Sequence, residues 1–369
     1  MTVKVISIMT ETSSIPNRTA VAPAVPLIPV TVITGFLGSG KTTLLNRLVR
    51  QPDMAGAAVI INEFGDIGID HLLVERIAGE AVLLDSGCLC CAVRGDLVDT
   101  MSRMAWQADH GELPAFDRLV VETTGLADPA PVLQTLMSDR VLTARYRLAG
   151  MVTTIDAVNG AVQIDAHAEA LKQVALASRL LVTKTDLVSP AALDGLERAL
   201  RALNPSAPMQ AVAHGAIGSD LIIGDYDYDP LAAGDAAAWL GAGEYHDHIH
   251  TQDHAHAHAH AHAHAHDHNI DSFCLTRTEP VPWGALSDWL RSLTSLRGAD
   301  LLRVKGIVNV AGRDRPAVLH GVQHIFHAPR LLERWPDRDR RTRIVCITRG
   351  LREADVSNAL DAAIENLRD

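Results

Sequence analysis

Short apolar runs that alternate with helical patterns dominate the chain from about residue 28 to residue 224. The runs at residues 30–34, 57–61, 119–122, 150–155 and 180–183 have the length and the β-branched character of buried strands. Strands that alternate with helices form right-handed βαβ units, which associate into a parallel sheet. The pattern therefore predicts an α/β domain with a mainly parallel sheet over residues 28–224.

The hydrophobic pattern changes towards the C-terminus. Helical spacing over residues 283–296 precedes two strand-like runs, at 301–310 and 317–326, which a turn at 312–314 joins. A strand at 342–347 and a helix at 356–367 follow. We predict a smaller α+β domain over residues 272–369, with a ferredoxin-like topology.

Two segments lack a pattern that could form a core. Residues 1–27 mix Thr, Ser, Pro and Ala, and we expect them to be a mobile tail. Residues 225–271 are rich in Asp, Gly, Ala and His, and His recurs at nearly every second position from 246 to 268. Such a segment cannot offset its ordering entropy. We predict a disordered His-rich linker, which is either a reservoir for zinc, nickel or cobalt or a plain connection.

Composition narrows the classes of protein that this chain can belong to. A formal charge of −11 argues against nucleic acid as the main partner, because phosphate-backbone binding needs a basic surface. No apolar run is long enough to cross a membrane. The five cysteines do not resemble a secreted disulfide framework. These observations predict a protein of the cytoplasm.

The segment that follows the first strand predicts nucleotide binding. Residues 35–42 read G-x-x-x-x-G-K-T, the P-loop pattern, and lie between a strand and a helix as that motif requires. Lys41 would contact the β- and γ-phosphates, and the Thr42 hydroxyl would hold Mg²⁺. The predicted nucleotide-binding residues of the loop are Gly35, Gly38, Ser39, Gly40, Lys41, Thr42 and Thr43. The fold class is therefore that of a P-loop NTPase.

A second loop predicts which base is bound. Residues 183–186, Thr-Lys-Thr-Asp, follow the strand at 180–183. Asp186 can accept two hydrogen bonds from guanine but not from adenine, and the alkyl stem of Lys184 can lie against the ring. Thr183 stands where Asn is usual in this four-residue motif, which predicts the loss of one structural hydrogen bond.

Acidic residues between these loops predict a nucleotide-sensing arrangement. Glu122 ends the strand at 119–122 and takes the place of a Walker-B carboxylate that supports Mg²⁺ or its waters. Residues 62–70 lie between the P-loop and this strand, where Asp70 would order around Mg²⁺ or, equally, form part of a solvated acidic loop. We assign catalytic roles to Lys41, Thr42 and Glu122, and Mg²⁺ ligation to Thr42 and Asp70.

Three cysteines lie close together in the motif C-x-C-C at Cys88, Cys90 and Cys91. Thiolates are soft ligands that suit zinc, copper(I) or cobalt. A tetrahedral ion would lack one ligand, for which Glu63, a His, a water or a partner protein are candidates. Outside this motif, Cys274 and Cys346 are interpreted as core residues. His320, His324 and His327 are either additional ligands or structural histidines.

Together these motifs resemble those of the CobW family of P-loop GTPase metallochaperones, which is related to the hydrogenase- and urease-maturation GTPases. The resemblance covers the P-loop, residues 62–70 as switch I, the C-x-C-C motif, residues 122–129 as switch II, and a C-terminal domain that contains residues 303–306 and 320–324. It implies Mg²⁺-dependent GTP hydrolysis coupled to delivery of a transition metal, most often zinc.

The sequence thus predicts a GTP-hydrolysing metallochaperone that passes zinc from the C-x-C-C site to a client metalloprotein. Three alternatives stay open: a cobalt-handling member of the cobalamin-biosynthesis branch, a metal-storage protein with vestigial GTPase activity, and a kinase for a small molecule. Neither the client nor the assembly is specified by the sequence, and a homodimer is one option.

Overall fold

The computed structural model describes residues 26–61, 82–85, 93–213, 217–224, 236–241, 269–327 and 329–367. These residues form two compact units, one built on a seven-stranded sheet and the other on a six-stranded sheet. Within this part of the chain, no helix is long and apolar enough to cross a lipid bilayer.

The sheet of the first unit is parallel throughout, as the sequence predicts for an α/β domain. Its strands are β1 (Ile28–Gly35), β2 (Ala57–Ile61), β3 (Val82–Asp85), β4 (Arg118–Glu122), β5 (Tyr146–Asp156), β6 (Arg179–Thr183) and β7 (Met209–Val212). Their order across the sheet is β3-β2-β4-β1-β5-β6-β7. The five strands expected from the apolar runs are all present.

Eight helices accompany this sheet in the described residues. They are α1 (Lys41–Leu48), α2 (Val93–Asp109), α3 (Ala130–Ser138), α4 (Arg140–Thr143), α5 (Gly160–Ala166), α6 (Ala168–Leu176), α7 (Pro190–Leu203) and α8 (Asp220–Ile223). Helix α1 buries Leu44, Leu45 and Leu48 in a cluster that includes Ile33 of β1. Full burial of each such side chain stabilises the fold by about 1.5–3 kcal/mol. The loop between β1 and α1 is therefore held at both ends by packed elements.

The strand order places several predicted residues at one edge of the sheet. The chain runs to one side of β1 for β2 to β4 and to the other side for β5 to β7, so the carboxyl end of β1 lies at a topological switch point, where parallel sheets bind ligands. Strands β4, β5 and β6 end at Glu122, Asp156 and Thr183. Because all the strands are parallel, these residues lie at the same edge as the P-loop.

The second unit is an antiparallel α+β domain. It contains α9 (Ala236–Leu240), β8 (Ile270–Arg277), α10 (Trp283–Arg297), β9 (Leu301–Val308), β10 (Ala317–Val322), β11 (Ile325–Phe326), β12 (Arg330–Leu331), β13 (Thr342–Arg349) and α11 (Glu353–Glu365). The strand order is β11-β10-β9-β13-β8, and β12 pairs with β10. Helix α10 packs on the sheet through a core that includes Trp289, whose Nε1 donates to the Val356 carbonyl at 3.1 Å.

The ferredoxin-like topology expected for this domain is wrong. That topology needs a helix between the third and fourth long strands, whereas here β13 follows the β10–β12 region directly and α11 comes last. The connecting segment carries Pro329 and Pro336, which disfavour a continuous helix.

Helix α9 and the first residues of β8 lie inside the segment that the sequence predicts as a linker. Both elements bury apolar side chains, namely Trp239, Leu240 and Ile270.

Candidate nucleotide-binding site

The P-loop connects the end of β1 to the start of α1. Gly40 is the N-cap residue of α1, in a left-handed conformation, and offers no side-chain hydrogen bond to the helix. The Lys41 ammonium donates to the carbonyl oxygens of Gly35, at 2.7 Å, and Phe36, at 3.3 Å. The N–H groups at the start of a helix and a buried ammonium are the groups that bind phosphate oxygens.

Gly35 is a position that only glycine fits. Its φ is +145°, and a Cβ there would stand 2.2 Å from Thr154 Oγ1 and 2.6 Å from Ser39 Oγ. These two hydroxyls are themselves 2.6 Å apart. The Ser39 side chain is therefore directed to β5 and supports the loop from within, so any contact of Ser39 with a phosphate would come from its backbone. Thr42 is half-buried and Thr43 is exposed in the first turn of α1.

Thr183 joins the base loop to the P-loop. Its hydroxyl lies 2.7 Å from the Ser39 carbonyl and 3.0 Å from the Ile155 carbonyl, and the residue is buried. Threonine therefore keeps a structural hydrogen bond between the two loops, and the loss of one further bond relative to Asn stays a prediction. A single hydroxyl proton serves two acceptors here, both of them main-chain oxygens.

Lys184 follows in a left-handed conformation, with φ 57° and ψ 30°. Its ammonium lies 2.7 Å from a carboxylate oxygen of Asp156, whose side chain is only 2% exposed. Asp156 also accepts hydrogen bonds from the Val158 backbone N–H, at 2.8 Å, and from the side chain of Asn159, at 3.0 Å. Burial raises the pKa of Asp156, but the hydrogen bonds from Lys184, Asn159 and Val158 outweigh it and hold that pKa below its ordinary value.

Asp156 was not among the residues singled out from the sequence. The sequence pattern could have identified it, because Asp156 ends an apolar strand in the same way as Glu122. Asp186, the predicted base-reading residue, lies in the short 3₁₀ helix Thr185–Leu187 and is exposed to solvent. Asp156 thus fixes the side chain of Lys184 just before the residue that would recognise guanine.

Glu122 lies at the end of β4, next to β1, with 5% of its surface exposed. The following residue, Thr123, donates its hydroxyl to Thr34 Oγ1 at 2.8 Å and its N–H to the Ile33 carbonyl at 2.9 Å. A carboxylate and the Thr42 hydroxyl are hard oxygen ligands of the kind that Mg²⁺ prefers. The residues present therefore fit a Mg²⁺ site, with Asp70 outside the described residues.

Gly125 brings the switch II segment, residues 122–129, against the P-loop. A Cβ on Gly125 would lie 2.7 Å from the Leu37 nitrogen and 2.9 Å from the Leu37 Cα. Real Cβ atoms do not approach a backbone so closely. Only glycine allows this contact, which joins the two segments that would surround the γ-phosphate.

The predicted transition-metal ligands Glu63, Cys88, Cys90 and Cys91 lie outside the described residues, as do the His-rich residues 246–268. Their flanking strands are described. Strand β2 ends at Ile61 and β3 ends at Asp85, and these two residues are register partners. The segments that contain Glu63 and Cys88 therefore start from neighbouring strand ends, at the edge that carries the P-loop.

Elsewhere, the described residues contain no group of three or more His, Cys, Asp or Glu that could hold a metal ion. Cys346 is fully buried in the core of the second unit, and this burial raises the pKa of its thiol. The rings of His320 and His327 are 5.2 Å apart, and His324 Nδ1 lies 3.0 Å from the Thr294 carbonyl. The interpretation as a core residue is confirmed for Cys346, whereas Cys274 is only half-buried.

The fold and the loop geometry define a P-loop nucleotide-binding protein. The model for the CobW/HypB/UreG nucleotide-binding domain matches residues 29–211, and the model for the cobalamin synthesis protein cobW C-terminal domain matches residues 270–364. The chain belongs to the CobW/HypB/UreG family, in agreement with the resemblance of its motifs.

Individual relatives are similar over most of their length. The zinc chaperone YjiA of Escherichia coli (strain K12) is 32% identical over 304 residues, which cover 82% of this chain and 88% of that protein. The zinc chaperone CobW of Pseudomonas aeruginosa is 30% identical over 372 residues, or 91% and 92% of the two chains. The crystal structure of the Zn(II)-bound YjiA GTPase from E. coli has a TM-score of 0.68 at 27% identity and covers 92% of this chain and 99% of that one.

Proposed function

We propose that this protein is a GTP-hydrolysing metallochaperone that binds zinc at the C-x-C-C motif and transfers it to a client protein. The observation that carries the proposal is the common edge of the parallel sheet. The P-loop, Glu122 and the base loop lie there, and the strands β2 and β3 lead from the same edge into the segments with Glu63 and the cysteines. Relatives named zinc chaperones support zinc as the metal, with cobalt as the alternative.

On nucleotide binding, the Lys41 ammonium exchanges the carbonyls of Gly35 and Phe36 for phosphate oxygens. This exchange keeps the buried charge paired, so phosphate binding adds no unpaired ion. The N–H groups of the loop and of the first turn of α1 supply further donors. Lys184, held by Asp156, would support the guanine ring, and Asp186 would accept hydrogen bonds from it.

Thr42, Glu122 and Asp70 would hold Mg²⁺, which neutralises charge on the β- and γ-phosphates during hydrolysis. The close approach of Gly125 to Leu37 would bring the switch II segment to the loop that orients the phosphates. Loss of the γ-phosphate would release the segments at residues 62–70 and 122–129, as in other nucleotide switches.

Zinc is the cargo in this proposal. Thiolates of Cys88, Cys90 and Cys91, with Glu63 or another donor as the fourth ligand, would hold it. Thiols must lose their protons to bind, so affinity falls as the pH drops. A site with an exchangeable fourth position suits transfer better than a closed four-cysteine site.

We propose that the protein and its client are cytoplasmic, and a homodimer is one form that its assembly could take.

Lys41→Ala tests the enzymatic half of the proposal. The substitution removes the ammonium that would contact the phosphates, so GTP turnover should fall by at least about a hundredfold. Because the carbonyls of Gly35 and Phe36 also lose a donor, turnover is expressed per folded protein, with urea unfolding measured in parallel. Released phosphate is measured with Mg²⁺ and GTP. Turnover that survives in the variant would contradict the assignment of the P-loop.

The His-rich tract favours one rival, metal storage. Deletion of residues 246–268 separates the two functions, because storage capacity resides in the imidazoles and transfer resides in the cysteines. We expect GTP-dependent zinc transfer to an apo-metalloprotein to survive the deletion. A total loss of zinc binding in the deletion variant would favour storage.

A further inference from the structure

Helix α6 makes buried contact with the switch II segment. The side chain of Gln173, only 1% exposed, directs its amide nitrogen to the Gly125 and Ala127 carbonyl oxygens, each at 3.2 Å. The Gln173 main chain is tied in turn to the sheet, because Thr153 of β5 donates its hydroxyl to the Gln173 carbonyl at 2.8 Å. Gln173 therefore links the central sheet to the backbone of the segment.

The chemistry of this contact leaves one orientation for the amide. Both partners of the Gln173 side chain are carbonyl oxygens, which only accept, so the NH₂ group must face them. The other atom, Oε1, is buried without a hydrogen-bond partner in the described part of the chain. A buried acceptor without a partner costs free energy, so packing alone would favour an apolar side chain of this size. Its donors serve the backbone of the segment.

Helices α5 and α6 also contact the P-loop and the far end of the switch II segment. Lys172 forms an ion pair with Asp128 at the far end of the segment. The ring of His167, at the N-cap of α6, stacks on Phe36 of the P-loop with centroids 4.5 Å apart. Gln163 of α5 donates to the Leu37 carbonyl at 3.4 Å. The P-loop and the switch II segment thus both contact helices α5 and α6.

We propose that Gln173 is a positioning residue for GTP hydrolysis. By holding the Gly125 and Ala127 carbonyls, it keeps the segment against Leu37, where the γ-phosphate would bind; it acts through the segment and does not touch the nucleotide. This inference rests on the proposed GTPase function. It predicts that Gln173 affects states that contain a γ-phosphate and leaves GDP binding unchanged.

Two variants of the full-length protein test the role. Gln173→Leu keeps the volume and removes both donors, whereas Gln173→Glu places a carboxylate against two carbonyls. Gln107→Leu, at a half-buried position of α2, is the matched control. We expect kcat for GTP to fall at least about tenfold in both Gln173 variants and the GDP dissociation constant to change less than about twofold. The control should match the wild type.

The pH dependence separates positioning from mere packing. At low pH the carboxyl introduced by Gln173→Glu gains a proton and can donate again, so its kcat relative to wild type should rise as pH falls from 8 to 6, whereas Gln173→Leu shows no such recovery. Unfolding in urea is measured in parallel. If kcat in both variants stays within about twofold of wild type, or falls only with the folded fraction, the positioning role is overturned.

A binding measurement that needs no GTP turnover distinguishes the role of Gln173 from the GTPase proposal itself. The ratio of the dissociation constants for GDP and for a non-hydrolysable GTP analogue reports contacts that need the γ-phosphate. This ratio should shift at least about fivefold in Gln173→Leu. Absence of turnover in the wild type would refute the GTPase proposal alone, while an unchanged ratio in Gln173→Leu would refute the role of Gln173.

Discussion

Replacement of Gly125 by alanine perturbs the contact between the switch II segment and the P-loop. The new Cβ would lie 2.7 Å from the Leu37 nitrogen, 2.8 Å from Leu37 Cδ2 and 2.9 Å from Leu37 Cα. Carbon atoms in good contact are about 3.5–4.0 Å apart, so the backbones must separate by about 0.5–1 Å. The Leu37 side chain can rotate away, but its backbone cannot.

This displacement has two expected consequences. Overpacking of a tight contact costs about 1–3 kcal/mol of the free energy of unfolding. Misplacement of catalytic geometry by about 1 Å costs on the order of a hundredfold in rate, so kcat for GTP in Gly125→Ala should fall between about tenfold and a hundredfold. Phosphate release and urea unfolding, measured on the same preparation, give the two numbers.

Gly195→Ala is the matched control. Gly195 lies in helix α7, and the nearest side-chain atom to its added Cβ would be Arg198 Nη2, at 3.9 Å. There is room for the methyl group, and alanine in a helix is more stable than glycine by roughly 0.5–1 kcal/mol. The control should therefore gain stability and keep its turnover. If Gly125→Ala behaves like Gly195→Ala, the close approach to Leu37 has no functional weight and the reasoning fails.

Two further predictions concern the base loop. Asp156→Asn should lower the free energy of unfolding by about 1–3 kcal/mol at pH 7, because Lys184 loses its charged partner. Since the pKa of Asp156 is lowered in the folded state, its contribution is complete above the unfolded pKa of about 3.9 and is lost as pH falls through the folded value. The gap between variant and wild type in urea should begin to narrow below about pH 4; an equal gap at pH 7 and pH 3 would contradict this. Thr183→Val should weaken GDP binding and cost about 1–3 kcal/mol in urea unfolding, because the Ser39 carbonyl loses its donor, whereas Thr183→Ser should keep both.

The elements that sequence reasoning predicted are those whose signals are local. The strands of the parallel sheet are continuous apolar runs, and the P-loop occupies the connection between a strand and its helix. Four fixed positions in eight residues are enough to identify that loop. The loop between β1 and α1 was therefore predictable, and the nucleotide contacts of its residues stay predictions.

The long-range contacts that hold the loops of the site could not be predicted in this way. Thr183 contacts Ser39 across 144 positions of the chain, and Gln173 contacts Gly125 across 48. Nothing in the residues near Gln173 indicates a functional role, because an isolated glutamine in an amphipathic helix is ordinary. Such contacts depend on strand order, which single-sequence patterns do not specify. The order of β9, β13 and β8 in the second unit was missed for the same reason.

The central claim is that nucleotide state controls zinc binding at the C-x-C-C motif. The most direct test measures zinc affinity by competition with a chelator, in protein lacking residues 246–268, with GTP–Mg²⁺, with GDP–Mg²⁺ and without nucleotide; Cys90→Ser identifies the site. The account predicts at least about a fivefold difference in affinity between the GTP and GDP states, abolished in Cys90→Ser. Equal zinc affinity in all three states would contradict it.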